Sequence, residues 1–253
     1  MKLSRRSRRL LIGSFLLLTV SVAAVTTFPV KIKCPVCGVE NEFFDYASWG
    51  SYVYQWPSKF QMVFWPQTYP TSLYICKKCH YTAWLWDFKN LDHDKIPAVQ
   101  KTLSAISDIP AFEKYGQVPM SRRLMVAEHV YQTLGKDDVF WSEFYRVQGY
   151  HLAAEKKPDE AKQARSKARD LLSKLAADPK ESSRKKEFLI SLAAMEHFLG
   201  DDAIALKDLA AARATTFSEG KNAANYEQYL NQLADEYVEK IKAKSVPEDV
   251  NNQ

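Results

Sequence analysis

The chain has 253 residues, of which 46% are hydrophobic and 26% are charged. This composition is that of a globular protein with one or two domains, and it excludes a disordered chain. The formal net charge of +5 equals the five basic residues among the first nine, so the remainder is balanced. A balanced body lacks the positive field of a general nucleic-acid binder, and we expect no nucleic-acid partner.

Residues 1–30 combine a basic head with an uncharged, largely apolar stretch over residues 10–30. This order is typical of a secretory signal peptide, and 21 such residues are also enough for a transmembrane anchor. Both alternatives remain open, and both place the rest of the chain on the exported side of the membrane. We therefore expect a protein of the cell envelope, anchored or periplasmic, that contacts the membrane through this segment.

Two C-x-x-C pairs contain all four cysteines of the chain. Cys34 and Cys37 form the first pair, which Gly38 follows, and Cys76 and Cys79 form the second. Two residues between cysteines let both sulfurs turn toward one ion, and zinc is commonly held by four thiolates. The sequence therefore predicts a structural zinc site in which these four cysteines are the metal ligands.

The same cysteines allow two other interpretations. Cys76, Cys79 and His80 form the C-x-x-C-H string through which haem c is attached, which would make this an electron-transfer protein. That alternative gives no role to Cys34 and Cys37. On the exported side of a membrane, four cysteines can also form disulfides, with three possible pairings.

An aromatic-rich stretch connects the two pairs. Residues 43–88 contain five of the six tryptophans, and three prolines in this stretch disfavour long helices. We expect short strands and turns around an aromatic core, forming a small zinc-ribbon-like domain over residues 31–95. The alternative is an exposed aromatic platform for sugar or lipid.

From residue 96 onward the apolar pattern becomes helical. Apolar positions recur at helical spacing in three stretches, namely Ala161, Ala164, Ala168, Leu171 and Leu175; Phe188, Leu192, Met195 and Leu199; and Tyr226, Leu230, Leu233 and Tyr237. Breaks are marked by Gly135, by Pro158, by Asp178 before Pro179, and by Gly200. We expect six or seven antiparallel helices over residues 96–245 and a disordered tail over 246–253.

Two turns in the helical region resemble each other. Pro158-Asp-Glu-Ala161 and Gly200-Asp-Asp-Ala203 lie 42 residues apart, and small residues follow both, with Leu206 and Ala210 after the second. This favours a tetratricopeptide-like array, although its usual period is 34 residues. An irregular helical bundle is the alternative. Because such arrays present a concave surface to other proteins, we expect a protein partner.

These motifs together resemble a bacterial family. Cys34-Pro-Val-Cys-Gly, the aromatic insert, Tyr74-Ile-Cys-Lys-Lys-Cys-His-Tyr-Thr-Ala83 and the following Asp87-Phe88 are similar to the family catalogued as domain of unknown function 2225. The resemblance covers roughly residues 30 to 215. It implies that Cys34, Cys37, Cys76 and Cys79 are the metal ligands, and that a tetratricopeptide-like tail follows. His80 stands where the family pattern has glycine. The resemblance brings no activity with it.

The sequence contains no phosphate loop, nucleophile elbow or H-E-x-x-H motif. Asp92-His93-Asp94 could serve metal or acid–base chemistry, but we interpret it as a polar turn that opens the helical region. The expected protein is mainly α, with a small cysteine domain, a helical array and an N-terminal hydrophobic helix. We expect a non-catalytic scaffold or accessory subunit without a small-molecule substrate. Zinc acting as a Lewis acid is the enzymatic alternative.

Overall fold

The computed structural model describes residues 26–48, 73–107 and 109–244, in which two antiparallel hairpins precede a series of helices. The strands are β1 (Thr26–Lys33), β2 (Glu40–Ser48), β3 (Leu73–Ile75) and β4 (Thr82–Trp84). The described α-helices are α1 (Leu85–Lys89), α2 (Ile96–Ser104), α3 (Met120–Leu134), α4 (Asp138–Ala154), α5 (Pro158–Ala177), α6 (Lys185–Leu199), α7 (Asp202–Arg213) and α8 (Ala223–Lys242). The fold is mainly helical, and the seven described helices from α2 onward match the expected number.

The first strand corrects the predicted boundary of the N-terminal segment. β1 begins at Thr26, and its residues Pro29 and Val30 pair with Phe44 and Phe43 of β2. Residues 26–30 therefore belong to the first cysteine hairpin. The rest of that segment, with its predicted hydrophobic helix, lies outside the described residues, as do residues 49–72 and the predicted tail 246–253. None of the helices described here combines the length and apolarity that crossing a bilayer demands.

Each hairpin carries one C-x-x-C pair at its tip, between β1 and β2 and between β3 and β4. Side chains alternate along paired strands, so one face of β1–β2 carries Val30 opposite Phe43 and Ile32 opposite Asn41. Phe43 and Asn41 on this face are buried, whereas Lys31 on the other face is exposed. The alternation orients the first hairpin on the core.

One hydrophobic core is shared by the two hairpins and the first helices. Its buried members include Cys34, Phe43, Leu73, Tyr74, Cys76, Tyr81 and Phe88, together with Val99 of α2, Leu124, Val130 and Tyr131 of α3, and Phe144 of α4. The core thus runs across the predicted domain boundary at residues 95 and 96. Short hairpins bury too little surface on their own, and α2 and α3 supply the missing apolar partners.

Polar contacts fix α3 against the second hairpin. The Tyr131 hydroxyl accepts a hydrogen bond from the Trp84 N–H at 2.8 Å and donates to Asp87 Oδ2 at 2.8 Å. The buried Arg123 guanidinium donates from Nη1 to the carbonyl oxygen of Leu73 at 2.8 Å. Because Tyr131 and Arg123 are buried, the contacts satisfy polar groups that would otherwise destabilise the fold.

Helices α4 to α7 form two consecutive helical hairpins, and α8 packs on the end of the series. The predicted breaks are confirmed: Gly135 and Gly200 end helices in the left-handed conformation, and Pro158 opens α5. Two predicted details are wrong. Leu172, not Leu171, is buried on α5, and Ala205, Leu209 and Ala212, rather than Leu206 and Ala210, are buried on α7.

Small residues recur at one spacing in both helical hairpins. Gly149, Ala161 and Ala168 in the first correspond to Ala193, Ala205 and Ala212 in the second, each 44 residues further on. All three members of the second set are fully buried, as are Ala161 and Ala168 of the first. A small residue at these positions allows the paired helices to approach closely.

We expect Gly149→Leu to destabilise the helical array. A Cβ atom at Gly149 would lie 2.7 Å from Arg165 Cγ and 3.4 Å from the carbonyl oxygen of Ala161, both on the facing helix. Overpacking of this kind costs about 1–3 kcal/mol. The free energy of unfolding in urea measures the effect. Gly116→Ala is the control, since a Cβ atom there has no neighbour within 4 Å, and equal stability of both variants would contradict the close approach.

Candidate metal centre

The two cysteine turns have the same backbone geometry. In each turn the carbonyl oxygen of the first cysteine accepts a hydrogen bond from the N–H of the residue one position after the second cysteine. The N–H of the first cysteine donates to the carbonyl oxygen of the residue two positions after the second cysteine. The bonds are Gly38 N–H to Cys34 O at 2.9 Å, Cys34 N–H to Val39 O at 2.9 Å, His80 N–H to Cys76 O at 3.0 Å, and Cys76 N–H to Tyr81 O at 2.9 Å. Both turns consequently direct their two sulfurs to the same side.

The four sulfur atoms converge between the hairpins and lie within 4.8 Å of one another. Cys34 Sγ lies 3.6 Å from Cys79 Sγ, and Cys37 Sγ lies 3.6 Å from Cys76 Sγ. Four thiolates about 2.3 Å from a tetrahedral zinc ion have sulfurs roughly 3.8 Å apart, so the spacing fits a metal. All four cysteines are free thiols in the structure. The group can therefore hold a metal ion.

The environment of the thiols is uneven. Cys34 and Cys76 are 2% and 0% exposed, whereas Cys37 and Cys79 are partly exposed. The hydrogen bond with Cys76 raises the pKa of Cys34 to about 12, and the bond with Cys34 lowers the pKa of Cys76. The bond with Cys34 also raises the pKa of Cys79. A metal ion must displace the protons that the thiols retain.

His80 occupies a left-handed position in the second turn. Its φ of 62° matches the φ of 74° at Gly38 in the first turn. Its ring stacks on Phe112 with 6.0 Å between centroids, and burial lowers its pKa. The turn therefore accommodates a histidine at a position where glycine is favoured, at a cost in backbone strain.

We expect His80→Gly to stabilise the metal-loaded protein. Relief of the left-handed strain is worth about 1 kcal/mol, partly offset by the loss of the Phe112 contact. Gly38→Ala should destabilise by a similar amount, because it introduces the same strain into the first turn. Thermal melting of the two variants measures both shifts. A lower melting temperature for His80→Gly would show that the histidine ring contributes more than its backbone costs.

The remaining predicted candidates lie away from the cysteines. Asp92, His93 and Asp94 are exposed, and Asp92 directly precedes the 3₁₀ turn His93–Lys95 that leads into α2, in agreement with the polar-turn interpretation. Within the described ranges, the four cysteines are the single group of potential metal ligands that meets in space.

The aromatic core is confirmed for the described part. Phe43 stacks on Tyr74 with 4.2 Å between centroids, and Phe88 and Tyr115 pack edge-on against Phe43. Trp86 is 56% exposed, and the three tryptophans of residues 49–72 lie outside the described residues. The aromatic platform therefore stays a prediction.

Sequence reasoning missed one residue of the centre. The side chain of Asn41 lies between the two turns, with Nδ2 3.6 Å from Cys76 Sγ. It lies four residues after Cys37 on β2, where alternation places it on the buried face. A polar residue at a buried strand position was the available signal.

The fold and the centre together define a class of protein in which two cysteine-tipped hairpins share a core with antiparallel helices. No family model, curated protein or solved structure matches the chain. The resemblance to the family catalogued as domain of unknown function 2225 therefore stays a prediction.

Proposed function

We propose that the four thiolates hold one structural zinc ion and that the protein acts as a non-catalytic scaffold or accessory subunit for another protein of the bacterial cell envelope. The observation that carries the metal assignment is the convergence of four sulfurs between the hairpins. Four cysteine ligands complete a tetrahedral zinc site and leave no open position for a substrate. The complete ligand set favours a structural role over Lewis-acid catalysis.

The same geometry favours zinc over haem c. A haem held by Cys76 and Cys79 would have to occupy the space in which their sulfurs meet those of Cys34 and Cys37. His80, the axial ligand of that alternative, stacks on Phe112. Zinc uses all four sulfurs and leaves the histidine in the turn.

Metal analysis of the purified full chain tests the metal assignment. We expect one zinc per chain by atomic emission and no absorption in the Soret region. The cobalt-substituted protein should show the absorption of a tetrahedral thiolate site. A covalent haem spectrum that disappears in His80→Gly would establish the alternative.

The helical hairpins support the partner-binding part of the proposal. Small residues recur at matching positions of α4–α5 and α6–α7, a repetition that is typical of tetratricopeptide-like arrays. Affinity capture from membranes, followed by reconstitution with the purified partner, tests this role. A one-to-one complex that survives gel filtration would support it. Capture of no stoichiometric partner under mild conditions would contradict it.

The start of β1 favours a cleaved signal over an anchor. With residues 26–30 in the hairpin, the uncharged stretch before β1 comprises residues 10–25, shorter than the roughly 20 residues that span a bilayer. Val22, Ala23 and Ala24 offer small residues for signal peptidase. N-terminal sequencing of protein from the envelope fraction should find a start near residue 25. An intact Met1 would favour the anchor.

A further inference from the structure

The Asn41 side chain connects the two cysteine turns. Its Oδ1 accepts a hydrogen bond from the Lys77 N–H at 2.9 Å, inside the second turn. Its Nδ2 donates to the carbonyl oxygen of Val39 at 3.0 Å, at the end of the first turn. The same Nδ2 lies 3.6 Å from Cys76 Sγ, and the residue is 3% exposed. One buried amide thus contacts both turns and a sulfur.

The two backbone partners fix the orientation of the amide. The Lys77 N–H can only donate and the Val39 carbonyl can only accept, so the oxygen and the nitrogen of Asn41 cannot be exchanged. The second hydrogen of Nδ2 is consequently available to the sulfur. A rotated amide would bring its oxygen to Cys76 and lose both backbone bonds.

Cys76 is the least exposed of the four cysteines, and the backbone of Lys78 and Cys79 supplies its other hydrogen bonds. It is fully buried, so water does not reach it. An uncompensated buried charge is costly, and a hydrogen bond to a charged acceptor is stronger than a neutral one. Groups that hydrogen-bond metal ligands orient them and tune their affinity for the metal.

We infer that Asn41 is a positioning residue of the metal centre, which orients Cys76, stabilises its thiolate and holds the two turns in the metal-binding arrangement. This inference rests on the proposed metal site. Asn41 is not one of the four proposed ligands, and it acts through Cys76 and through the backbone of Lys77.

The test uses the full chain with Asn41→Asp and Asn41→Ala. The aspartate keeps an acceptor for the Lys77 N–H but places a negative charge beside a centre that carries a net charge of −2 when loaded. The alanine removes the donor without adding charge. Thr82→Val is the matched control, because Thr82 is also fully buried and bonds the His80 carbonyl oxygen at 2.8 Å in the same turn. Its hydrogen bond does not involve a sulfur.

Zinc affinity is measured by competition with a chromophoric chelator, and the sulfur environment by the charge-transfer band of the cobalt-substituted protein. We expect both Asn41 variants to bind zinc about 10–100-fold more weakly. Their charge-transfer bands should move to longer wavelength, because a thiolate without its donor is a better electron donor. Thr82→Val should lower the melting temperature while affinity and band position stay at the wild-type values.

Unchanged affinity in both Asn41 variants would overturn the inference. So would weaker affinity with an unshifted band, since that combination describes a purely structural residue. If the wild-type chain binds neither zinc nor cobalt, the proposed metal site itself fails. The two failures are distinguishable: a wild-type chain that binds no metal rejects the metal site, whereas a wild-type chain that binds zinc with the same affinity as both Asn41 variants rejects only the role of Asn41.

Discussion

Cys76→Ser is expected to abolish zinc binding and to unfold the hairpin half of the molecule. Cys76 is fully buried in the core that α2 and α3 share with both hairpins. Structural zinc contributes about 10–16 kcal/mol of apparent folding free energy in zinc-finger peptides, and a three-cysteine site loses much of that contribution. The serine hydroxyl also leaves an unpaired polar group where a buried sulfur lay.

The loss of structure in Cys76→Ser should be confined to one part of the chain. The core of α5 to α8 is a separate cluster that contains none of the cysteines. Peptide-resolved hydrogen exchange should therefore show faster exchange in β1 to β4 and α3, while α6 stays protected. Zinc content by atomic emission is measured on the same samples.

Two comparisons make this prediction decisive. A strong chelator added to the wild-type chain should reproduce the exchange pattern of Cys76→Ser, because both remove the ion. Cys37→Ser, at a partly exposed ligand, should also lose zinc and show the same exchange pattern, because it too removes the ion. A Cys76→Ser protein that retains one zinc and its wild-type melting temperature would show that the four cysteines do not act as one site.

The meeting of the four cysteines was accessible from the sequence because its geometry is local. Two residues between cysteines impose a tight turn, and Gly38 supplies the left-handed residue that follows it. The sequence also shows histidine, rather than glycine, at the corresponding position 80 of the second turn. The structure places His80 in the same left-handed conformation as Gly38. Local chemistry fixed the helix breaks too, since Gly135 and Gly200 end helices as expected.

The register of the helical repeat was not accessible in the same way. The similar sequences that begin at Pro158 and at Gly200 align the two turns 42 residues apart. The helices themselves begin at Pro158 and Asp202, which are 44 residues apart. The two turns differ in length, so matching their letters displaces the helices by two positions. Burial of Ala205 and Ala212, rather than Ala210, reveals the true register.

The shared core and the role of Asn41 could not be predicted from the sequence, because both depend on tertiary contacts. Periodicity assigns each helix a buried face but does not say which element covers it, so the contact of α3 with the hairpins is not encoded in any short pattern. An asparagine four residues after a cysteine carries no signal by itself. Its role arises because β2 brings it beside a turn that lies 35 residues further along the chain.

His151→Leu is expected to make the protein more resistant to acid. His151, on α4, is half-buried, but its Nε2 is shielded from water. Burial lowers its pKa to about 3, and the positive charge of Arg123 adds to the shift. Its Nε2 has no hydrogen-bond partner among the described residues. An apolar side chain therefore sacrifices no hydrogen bond at this atom.

The direction of the pH effect follows from the two pKa values. In the unfolded chain the imidazole titrates at about 6.5, so at lower pH the unfolded state binds a proton that the folded state refuses. Stability is thus complete above pH 6.5 and falls as the pH decreases toward 3. Each pH unit below 6.5 lowers the free energy of unfolding by about 1.4 kcal/mol, which amounts to roughly 2.7 kcal/mol at pH 4.5.

Other titrating groups also affect how the stability of the wild type depends on pH. Comparing His151→Leu with the wild type cancels their contributions. Burial and the neighbouring Asp208 raise the pKa of Glu196 to about 7, which lowers stability as the pH rises from 4.5 to 7. The cysteine centre also loses its metal as its thiolates are protonated. Both effects are common to the wild type and to His151→Leu, so the difference between the two proteins isolates the histidine.

Urea unfolding at pH 7.5 and pH 4.5 measures that difference. We expect the free energy of unfolding of His151→Leu, relative to wild type, to increase by about 2–3 kcal/mol on going to the lower pH. His129→Leu is the control, because His129 is exposed on α3, and it should show no such increase. A difference between His151→Leu and wild type that does not change with pH would mean that the buried ring accepts a proton in the folded state, with the neighbouring groups adjusting to the charge.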